Sequence, residues 1–395
     1  MDSFWAAAIA GQSGIRPFYE LDGSGYPCQV AGEVLDFDPM AYMDHRSARR
    51  MARFSQFAVA TAQQAVEHAK LDLKTINRER AGVVIGNGGG GYPNVEFANR
   101  TMLSRGGMKL DPLYVAKWLP NMAAANVTIQ LGLNGFTNTV VTACASGTQA
   151  IGEAVEVIRR GAADLMLAGG TEAGICELGL AGFAAMRALS TSFNEDPGRA
   201  SRPFDRDRDG FVPAEGAGMV LLETLEHAYS RNARPLVEVI GYGATADASY
   251  LVAPSEDGAG AARAMRTAIS DASIDSAEID YISAHATATE TGDIAETRAI
   301  KAVFGERAYR IPVTALKSQT GHLLGGSGGV ETVAAVQTIL NRQIPPTLNL
   351  DNPGEGCDLD YVPIKSRSAN IQTVMNNSFG FGGQNAVLIL QRFQP

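Results

Sequence analysis

The stretch Thr142-Ala-Cys-Ala-Ser-Gly147 decides the fold prediction, because a β-branched run ends there and a helical pattern follows at residues 151–158. A second stretch, Thr314-Ala-Leu-Lys-Ser-Gln319, leads through a glycine-rich turn into a helical pattern at residues 330–339. In each half, a Gly-Phe pair then precedes an apolar run, within residues 210–222 and 380–390. This shared order indicates a duplicated unit, although α/β proteins also reuse turn-helix patterns by chance.

Apolar β-rich segments alternate with alanine-rich helical patterns, which predicts α/β layers. Strands are predicted at residues 81–86, 164–169 and 280–284, and helices at residues 55–70, 145–160, 258–271 and 292–303. The segment 231–235 is the natural joint between the halves. The predicted domains are therefore residues 1–233, with Cys144, and residues 234–395, with two unusual histidines.

The composition limits the possible functions. The chain has 395 residues, 45% hydrophobic and 19% charged, as expected for a soluble globular protein. Neither a membrane span nor a signal peptide is predicted, and the net charge of −9 argues against general binding to nucleic acid. The cysteines lack metal-site or disulfide spacing, so we expect no metal and a reducing cytoplasm; they are Cys28, Cys144, Cys176 and Cys357.

Cys144 is the candidate nucleophile. A thiol at a helix N-terminus is expected to have a lowered pKa, and small neighbouring residues allow a carbonyl substrate to approach. A buried structural cysteine is the alternative, and it is the commoner role for a cysteine taken at random. His285, after a predicted strand, and His322, in a glycine-rich loop, shift the balance towards catalysis.

The glycine run at residues 86–91 formally satisfies the GxGxxG pattern of dinucleotide-binding proteins. A run of glycines satisfies almost any glycine pattern, and Pro93 follows so closely that no helix start is expected there. We therefore predict a backbone turn beside a cavity and no nucleotide cofactor.

Four motifs in this order resemble those of β-ketoacyl-acyl-carrier-protein synthases, most closely the synthase II type. They are Thr142-Ala-Cys-Ala-Ser-Gly147, His285-Ala-Thr-Ala-Thr289, Lys317-Ser-Gln-Thr-Gly-His322 and Asn377-Ser-Phe-Gly-Phe-Gly-Gly383. The resemblance implies a thiolase-like fold of two pseudo-repeated α/β halves, layered α-β-α-β-α, in a homodimer. It also implies decarboxylative condensation of malonyl-carrier protein with a cysteine-bound acyl chain in fatty acid elongation, with no cofactor.

The resemblance assigns roles to individual residues. Cys144 would carry the acyl chain, and the backbone N–H groups of Cys144 and Phe381 would hold the oxyanion, with Phe381 as a gate. His285 and His322 would stabilise the malonyl enolate. The charged supporting residues would be Lys317 and Glu331, although a helix-start position explains Glu331 almost as well.

Carrier-protein recognition is also implied by the resemblance. Thr287 and Thr289 match positions that hydrogen-bond the phosphopantetheine arm. A basic patch would meet the acidic acyl-carrier protein, although a solvated helix face has the same spacing; it consists of Arg46, Arg49 and Arg50.

The chain departs from the family pattern in three places. Ala286 stands where a glycine is usual. Gly89 stands where many synthases have a branched aliphatic residue at the acyl chamber, so a deeper or more mobile chamber is expected. The usual first strand is missing before the segment at Phe4, and we expect that strand to be central in the sheet and the natural protein to start upstream of Met1.

Three other functions are considered. A type II polyketide ketosynthase shares most of these motifs. A degradative thiolase would have a second cysteine where this chain has Gly380-Phe-Gly-Gly383. A non-catalytic chain-length-factor subunit shares the fold but typically lacks the nucleophile, so the presence of Cys144, His285 and His322 favours an active enzyme.

Overall fold

A computed structural model describes residues 1–19 and 21–394, and its strands form two main sheets and two short pairs. In chain order the strands are β1 (Arg16–Pro17), β2 (Val30–Ala31), β3 (Ala81–Gly86), β4 (Thr137–Val140), β5 (Leu165–Glu172), β6 (Gly216–Glu223), β7 (Val237–Ala246), β8 (Tyr281–Ser283), β9 (Val313–Thr314), β10 (Gln343–Ile344), β11 (Arg367–Ser368), β12 (Thr373–Gly380) and β13 (Gln384–Arg392).

The α-helices are α1 (Asp2–Ala10), α2 (His45–Arg50), α3 (Arg53–His68), α4 (Tyr92–Arg105), α5 (Tyr114–Trp118), α6 (Met122–Leu131), α7 (Ser146–Arg159), α8 (Glu177–Ala185), α9 (Leu225–Ser230), α10 (Ala259–Ala272), α11 (Glu290–Phe304), α12 (Lys317–Thr320) and α13 (Ser327–Asn341). Two 3₁₀ turns, Ala143–Ala145 and Leu324–Gly326, lead directly into α7 and α13. No helix in the described part of the chain is both long enough and apolar enough to cross a membrane.

The two main sheets repeat one topology, which confirms the predicted duplication. The first has the order β4-β3-β5-β6 and the second the order β9-β8-β12-β13-β7. In each, the first three strands run parallel and the fourth is antiparallel to the third. The second sheet adds β7, antiparallel to β13.

Alternating side chains on the sheets form separate cores, because successive residues of a strand face opposite sides. In β3, Val83 and Ile85 pack with α3 and α6, whereas Val84 packs with α7. In the second sheet, Ile282 packs with α10 and α11, while Tyr281 packs with α13. The result is five layers: α3 and α6, the first sheet, α7 and α13, the second sheet, and α10 and α11.

Helices α7 and α13 meet backbone to backbone in the central layer. A β-carbon at Gly147 would lie 2.8 Å from the Gly325 oxygen, and one at Gly328 would lie 2.4 Å from the Thr148 nitrogen. Only glycine allows this approach. The contact brings together the turns that begin the two helices, and with them Cys144 and the loop after His322.

Two expectations about the chain are wrong. Helix α4 starts at Tyr92 despite Pro93, because a proline in the first helical turn loses no hydrogen bond and its fixed φ suits a helix. The first strand that is missing before Phe4 was expected to be central in the sheet. Its counterpart in the second half is β7, which lies at the edge of the second sheet, so the repeat gives that strand an edge position beside β6.

Candidate active site

Cys144 lies in the 3₁₀ turn at the start of α7, and its free thiol is buried. Ser146 fixes this turn, because its Oγ accepts the Thr142 N–H at 2.9 Å and donates to the Ala143 carbonyl at 2.6 Å. A β-carbon at Gly380 would lie 2.6 Å from the Thr142 oxygen, so only glycine lets the end of β12 come so close to the turn that holds Cys144.

The surroundings of Cys144 act in opposite directions on its pKa. Burial raises the pKa of the thiol to about 12, while the charge of Lys317 and the backbone N–H groups of Phe381 and of Cys144 itself lower it. The expected lowering by the helix N-terminus is therefore wrong for the resting site, because desolvation of the thiolate dominates. The same two N–H groups are the predicted oxyanion donors.

His285 follows β8 and is positioned through its backbone. The carboxylate of Glu296 on α11 accepts the N–H groups of His285 at 2.9 Å and Ala286 at 2.8 Å. Asn377 on β12 donates to the same carboxylate at 3.0 Å. The imidazole Nδ1 is buried without a hydrogen-bond partner among the described residues.

His322 has one ring nitrogen bound and one free. Its Nδ1 lies 3.1 Å from Ser327 Oγ, and that oxygen also accepts the Leu323 N–H at 3.0 Å. The Ser327 hydroxyl hydrogen can therefore point to Nδ1, which leaves the proton of the neutral imidazole on Nε2. Nε2 is buried and has no partner within the described chain, so it is an unused donor facing the site.

The two imidazoles stand close together and perpendicular, with ring centroids 5.5 Å apart and an interplanar angle of 85°. Burial first, and then the charge of Lys317, hold the pKa of both histidines well below the usual value. Aromatic rings flank the pair, Phe379 beside His285 and Phe211 beside His322. Both histidines are thus neutral at physiological pH, and each neutral ring has one N–H that can donate to a carbonyl.

Lys317 and Glu331 form a buried ion pair, with 1% and 2% of each residue exposed. Lys317 begins α12, and Glu331 lies near the start of α13. The second carboxylate oxygen of Glu331 has no partner in the described structure, and burial raises the pKa of this carboxyl. The pair sets the local charge at the histidines, since Lys317 lowers the pKa of both.

The other predicted residues are two threonines close to His285 in the chain and three arginines on α2. Thr287 and Thr289 follow His285, and their Oγ1 atoms are 3.2 Å apart. The basic residues Arg46, Arg49 and Arg50 are exposed on α2 and are not part of the buried cluster.

The glycine loop after β3 has its N–H groups occupied by the protein itself. The carboxylate of Glu172 accepts those of Gly88 at 2.8 Å and Gly89 at 3.1 Å. The N–H of Gly90 donates to the Asn87 side chain, and that of Gly91 to the Trp118 carbonyl. These four amides are not free to hold a phosphate, so the loop is not built as a phosphate cradle.

Three supporting side chains were missed in the sequence: Glu172, Glu296 and Ser327. Burial raises the pKa of Glu172 to about 7, against hydrogen bonds from Gly88, Gly89, Gly325 and Asn87 that lower it. A carboxylate directly after an apolar strand, as in residues 165–172, is the available signal for Glu172. Glu296 has no such signal, because its partners come from distant parts of the chain.

Comparison with known proteins places the chain in a family. Residues 1–228 match the family described as "Beta-ketoacyl synthase, N-terminal domain", and residues 236–351 match "Beta-ketoacyl synthase, C-terminal domain". The chain is 45% identical over 394 residues to "3-oxoacyl-[acyl-carrier-protein] synthase 2" of Synechocystis sp., covering 100% of this chain and 94% of the relative. A protein of the same name from Coxiella burnetii is 45% identical over 392 residues, covering 99% and 94%.

Solved structures agree with the sequence relatives. The ishigamide ketosynthase/chain length factor superposes with a TM-score of 0.94 at 35% identity, covering 100% of this chain and 95% of that one. A ketosynthase in complex with its type II polyketide acyl-carrier protein has a TM-score of 0.90 at 33% identity, with the same coverage. The family matches, the full-length relatives and the thiolase-like fold show that this chain belongs to the β-ketoacyl synthase family.

Proposed function

We propose that this chain is a 3-oxoacyl-acyl-carrier-protein synthase that elongates fatty acyl chains by decarboxylative condensation. One observation carries the proposal: the charge of the buried Lys317 acts on the Cys144 thiol and on both neutral imidazoles, whose ring centroids are 5.5 Å apart. The identity of 43–45% to 3-oxoacyl-acyl-carrier-protein synthases 2 over the full chain supports the fatty acid pathway.

The first step is transfer of the acyl chain to Cys144. The sulfur attacks the thioester carbon of acyl-carrier protein, and the N–H groups of Cys144 and Phe381 bind the oxyanion that forms. The intermediate collapses by breaking the carbon–sulfur bond of the substrate, and the departing phosphopantetheine sulfur takes up the thiol proton. Because the resting thiol has a raised pKa, it loses its proton in this step.

The second step makes the carbon nucleophile from malonyl-carrier protein. The bond between the carboxylate carbon and the methylene carbon breaks, carbon dioxide leaves, and its electron pair forms an enolate on the thioester. His322 Nε2–H and the His285 ring donate hydrogen bonds to the enolate oxygen. Neutral donors suit this step, since the negative charge appears only as carbon dioxide leaves.

The third step joins the two units. The enolate carbon attacks the acyl carbon on Cys144, and the tetrahedral oxyanion again lies at the two backbone N–H groups. Collapse releases the 3-oxoacyl-carrier protein and a Cys144 thiolate, which takes a proton from solvent. Thr287 and Thr289 would hydrogen-bond the phosphopantetheine arm, and no cofactor is required.

Acyl-carrier protein is the proposed partner. The exposed basic residues of α2, Arg46, Arg49 and Arg50, offer a positive patch to an acidic carrier protein. The solved ketosynthase–carrier-protein complex supports such an encounter for a protein of this fold.

A homodimer in the cytoplasm is the proposed state of the enzyme. Strand β4 pairs only with β3 among the described residues and leaves one edge open. Exposed apolar side chains lie on α4, on the turn that follows it and after β4, including Phe97, Met108 at 98% exposed and Val141. A second copy covering this face would bury them. The four cysteines are free thiols, which supports a reducing compartment.

The decisive experiment compares the native chain with Cys144→Ala, using acyl- and malonyl-carrier proteins. We expect the variant to lose condensation while slow malonyl decarboxylation persists, because the histidines remain. Cys28→Ala is the matched control, since it removes another buried free thiol. Retained condensation in Cys144→Ala would refute the proposal.

A type II polyketide ketosynthase is the second candidate. Its support is the structural likeness to polyketide ketosynthases, at 33–35% identity. Analysis of products made from defined starter and malonyl-carrier proteins separates the two, because a polyketide enzyme extends chains whose keto groups are not reduced.

A further inference from the structure

The loop that carries Thr287 and Thr289 has an unusual backbone. Ala286 has a φ of 21° and Ala288 a φ of 67°, in the left-handed region that alanine rarely adopts. Residues in such conformations persist only where the surrounding structure fixes them. Thr287 lies between the two alanines and Thr289 follows them, with the two Oγ1 atoms 3.2 Å apart. The placement of both hydroxyl groups therefore depends on contacts from outside the loop.

Arg208, in the first half of the chain, binds the end of this loop. Its Nε donates to the Thr289 carbonyl at 3.3 Å, and its Nη2 donates to the Glu290 carbonyl at 2.9 Å. Its Nη1 donates to the Asp205 carbonyl at 2.8 Å. Only 6% of Arg208 is exposed, so the guanidinium is a buried fork that joins the threonine loop to the segment 205–208.

Two further contacts fix Ala288 itself. Its carbonyl accepts the Gly210 N–H at 3.1 Å, and its N–H donates to the Asp293 carboxylate at 3.2 Å. Burial raises the pKa of Asp293 to about 7, while the Phe204 N–H and the charge of Arg208, 3.8 Å away, lower it. Arg208 thus serves the loop twice, because it binds two carbonyls at its end and favours the charged form of the carboxylate that holds Ala288.

We propose that Arg208 is a positioning residue for the phosphopantetheine arm, which holds Thr287 and Thr289 where their hydroxyl groups can bind that arm. The inference rests on the proposed function, in which the arm is common to acyl- and malonyl-carrier protein. Arg208 acts through the loop and not by contact with the reacting atoms. Its loss should therefore weaken the binding of both carrier-bound substrates and leave the reactivity of Cys144 unchanged.

The test variant is Arg208→Lys, which keeps the positive charge but replaces the planar fork with a single nitrogen. We expect KM for acyl- and for malonyl-carrier protein to rise about tenfold each, as for the loss of about one hydrogen bond to the arm. The value of kcat should change little, because binding is lost equally in the ground state and the transition state. Alkylation of Cys144 by iodoacetamide, which has no arm, should keep its native rate.

Arg199→Lys is the matched control. Arg199 lies shortly before Arg208 in the chain and pairs with the exposed Asp351, so this exchange should leave both KM values unchanged. If Arg208→Lys does not fold, Arg208→Met/Asp293→Asn takes its place with the same expectations, since it leaves no unpaired buried charge.

A double-mutant cycle tests whether Arg208 acts through the threonines. Thr289→Val should raise KM in the native background and clearly less in the Arg208→Lys background, because a misplaced hydroxyl group has less binding to lose. Equal effects in both backgrounds, an unchanged KM in folded Arg208→Lys, or a matching loss of Cys144 alkylation overturns the inference. Absence of condensation by the native chain instead overturns the proposed function.

Discussion

Replacing Lys317 with methionine should destabilise the protein in a way that depends on pH. The substitution keeps an unbranched side chain but leaves Glu331, 2% exposed, without its cation. Glu331 must then stay charged, which costs about 3–5 kcal/mol for a buried unpaired ion, or take up a proton. The proton costs about 1.4 kcal/mol for each pH unit above the ordinary pKa of 4.5, or about 3 kcal/mol at pH 7.

The sign of the pH dependence follows from the same reasoning. Without Lys317, the pKa of Glu331 in the folded protein lies far above its value in the unfolded chain. The variant therefore loses stability as the pH rises above about 4.5, and its deficit should grow from about 1 kcal/mol at pH 5.5 to about 3 kcal/mol at pH 7. Lys317→Met/Glu331→Gln has no buried charge in the pair and should recover most of the loss.

The assay is unfolding of the native chain, the single variant and the double variant between pH 5.5 and 8, at one protein concentration because the enzyme is proposed to be a dimer. A deficit that does not change with pH, or that Glu331→Gln does not relieve, would refute the account of the buried pair.

The same two variants test the electrostatics of catalysis. Lys317 lowers the pKa of His285 and His322, so its loss should move the acid limb of malonyl decarboxylation to higher pH, by about 1 unit or more. The double variant should show this shift with its stability restored, which separates charge from folding. An acid limb unchanged in both variants would show that the neutral state of the histidines does not depend on Lys317.

Three further outcomes follow from single features. Exchanging the three arginines of α2, Arg46, Arg49 and Arg50, for glutamate should raise KM for acyl-carrier protein at least about tenfold. KM for a pantetheine thioester, which has no carrier protein, should change little. An equal rise of KM for both substrates would show that α2 is not part of the docking surface. Burial raises the pKa of Glu172 to about 7 from 4.5, so the native chain should lose up to about 3 kcal/mol of stability as the pH rises from 4.5 to 7 in unfolding curves. Glu172→Gln should abolish this pH dependence, while lowering stability at every pH because its amide nitrogen faces backbone N–H donors. A β-carbon at Gly170 would lie 2.2 Å from the Gly325 oxygen, so Gly170→Ala should cost at least about 3 kcal/mol in unfolding free energy. One at Gly182, inside α8, meets nothing within 4 Å, so Gly182→Ala should instead gain up to about 1 kcal/mol.

The fold could be predicted because it depends on patterns that are local in the sequence. The strand predicted at residues 81–86 is β3, Ala81–Gly86, and the helix predicted at residues 145–160 is α7, Ser146–Arg159. The recurrence around Cys144 and Lys317 predicted the repeat for the same reason. Patterns within one segment do not show which distant segments surround a side chain, so the raised pKa of Cys144 and the ring of Tyr92 beside Gly89 could not be predicted from them.

The supporting carboxylates, Glu172 and Glu296, show why the repeat in the sequence revealed only part of the active site. In each half, the loop after the corresponding strand, β3 or β8, turns into the active site and needs an acceptor for its buried N–H groups. Glu172 at the end of β5 serves the first loop, while Glu296 on α11 serves the second. The physical requirement is repeated, but the residues that meet it come from elements that are not equivalent. A search for repeated sequence finds the turns that begin α7 and α13, whose backbones must pack together, and cannot find these carboxylates, whose partners are set only by the folded chain.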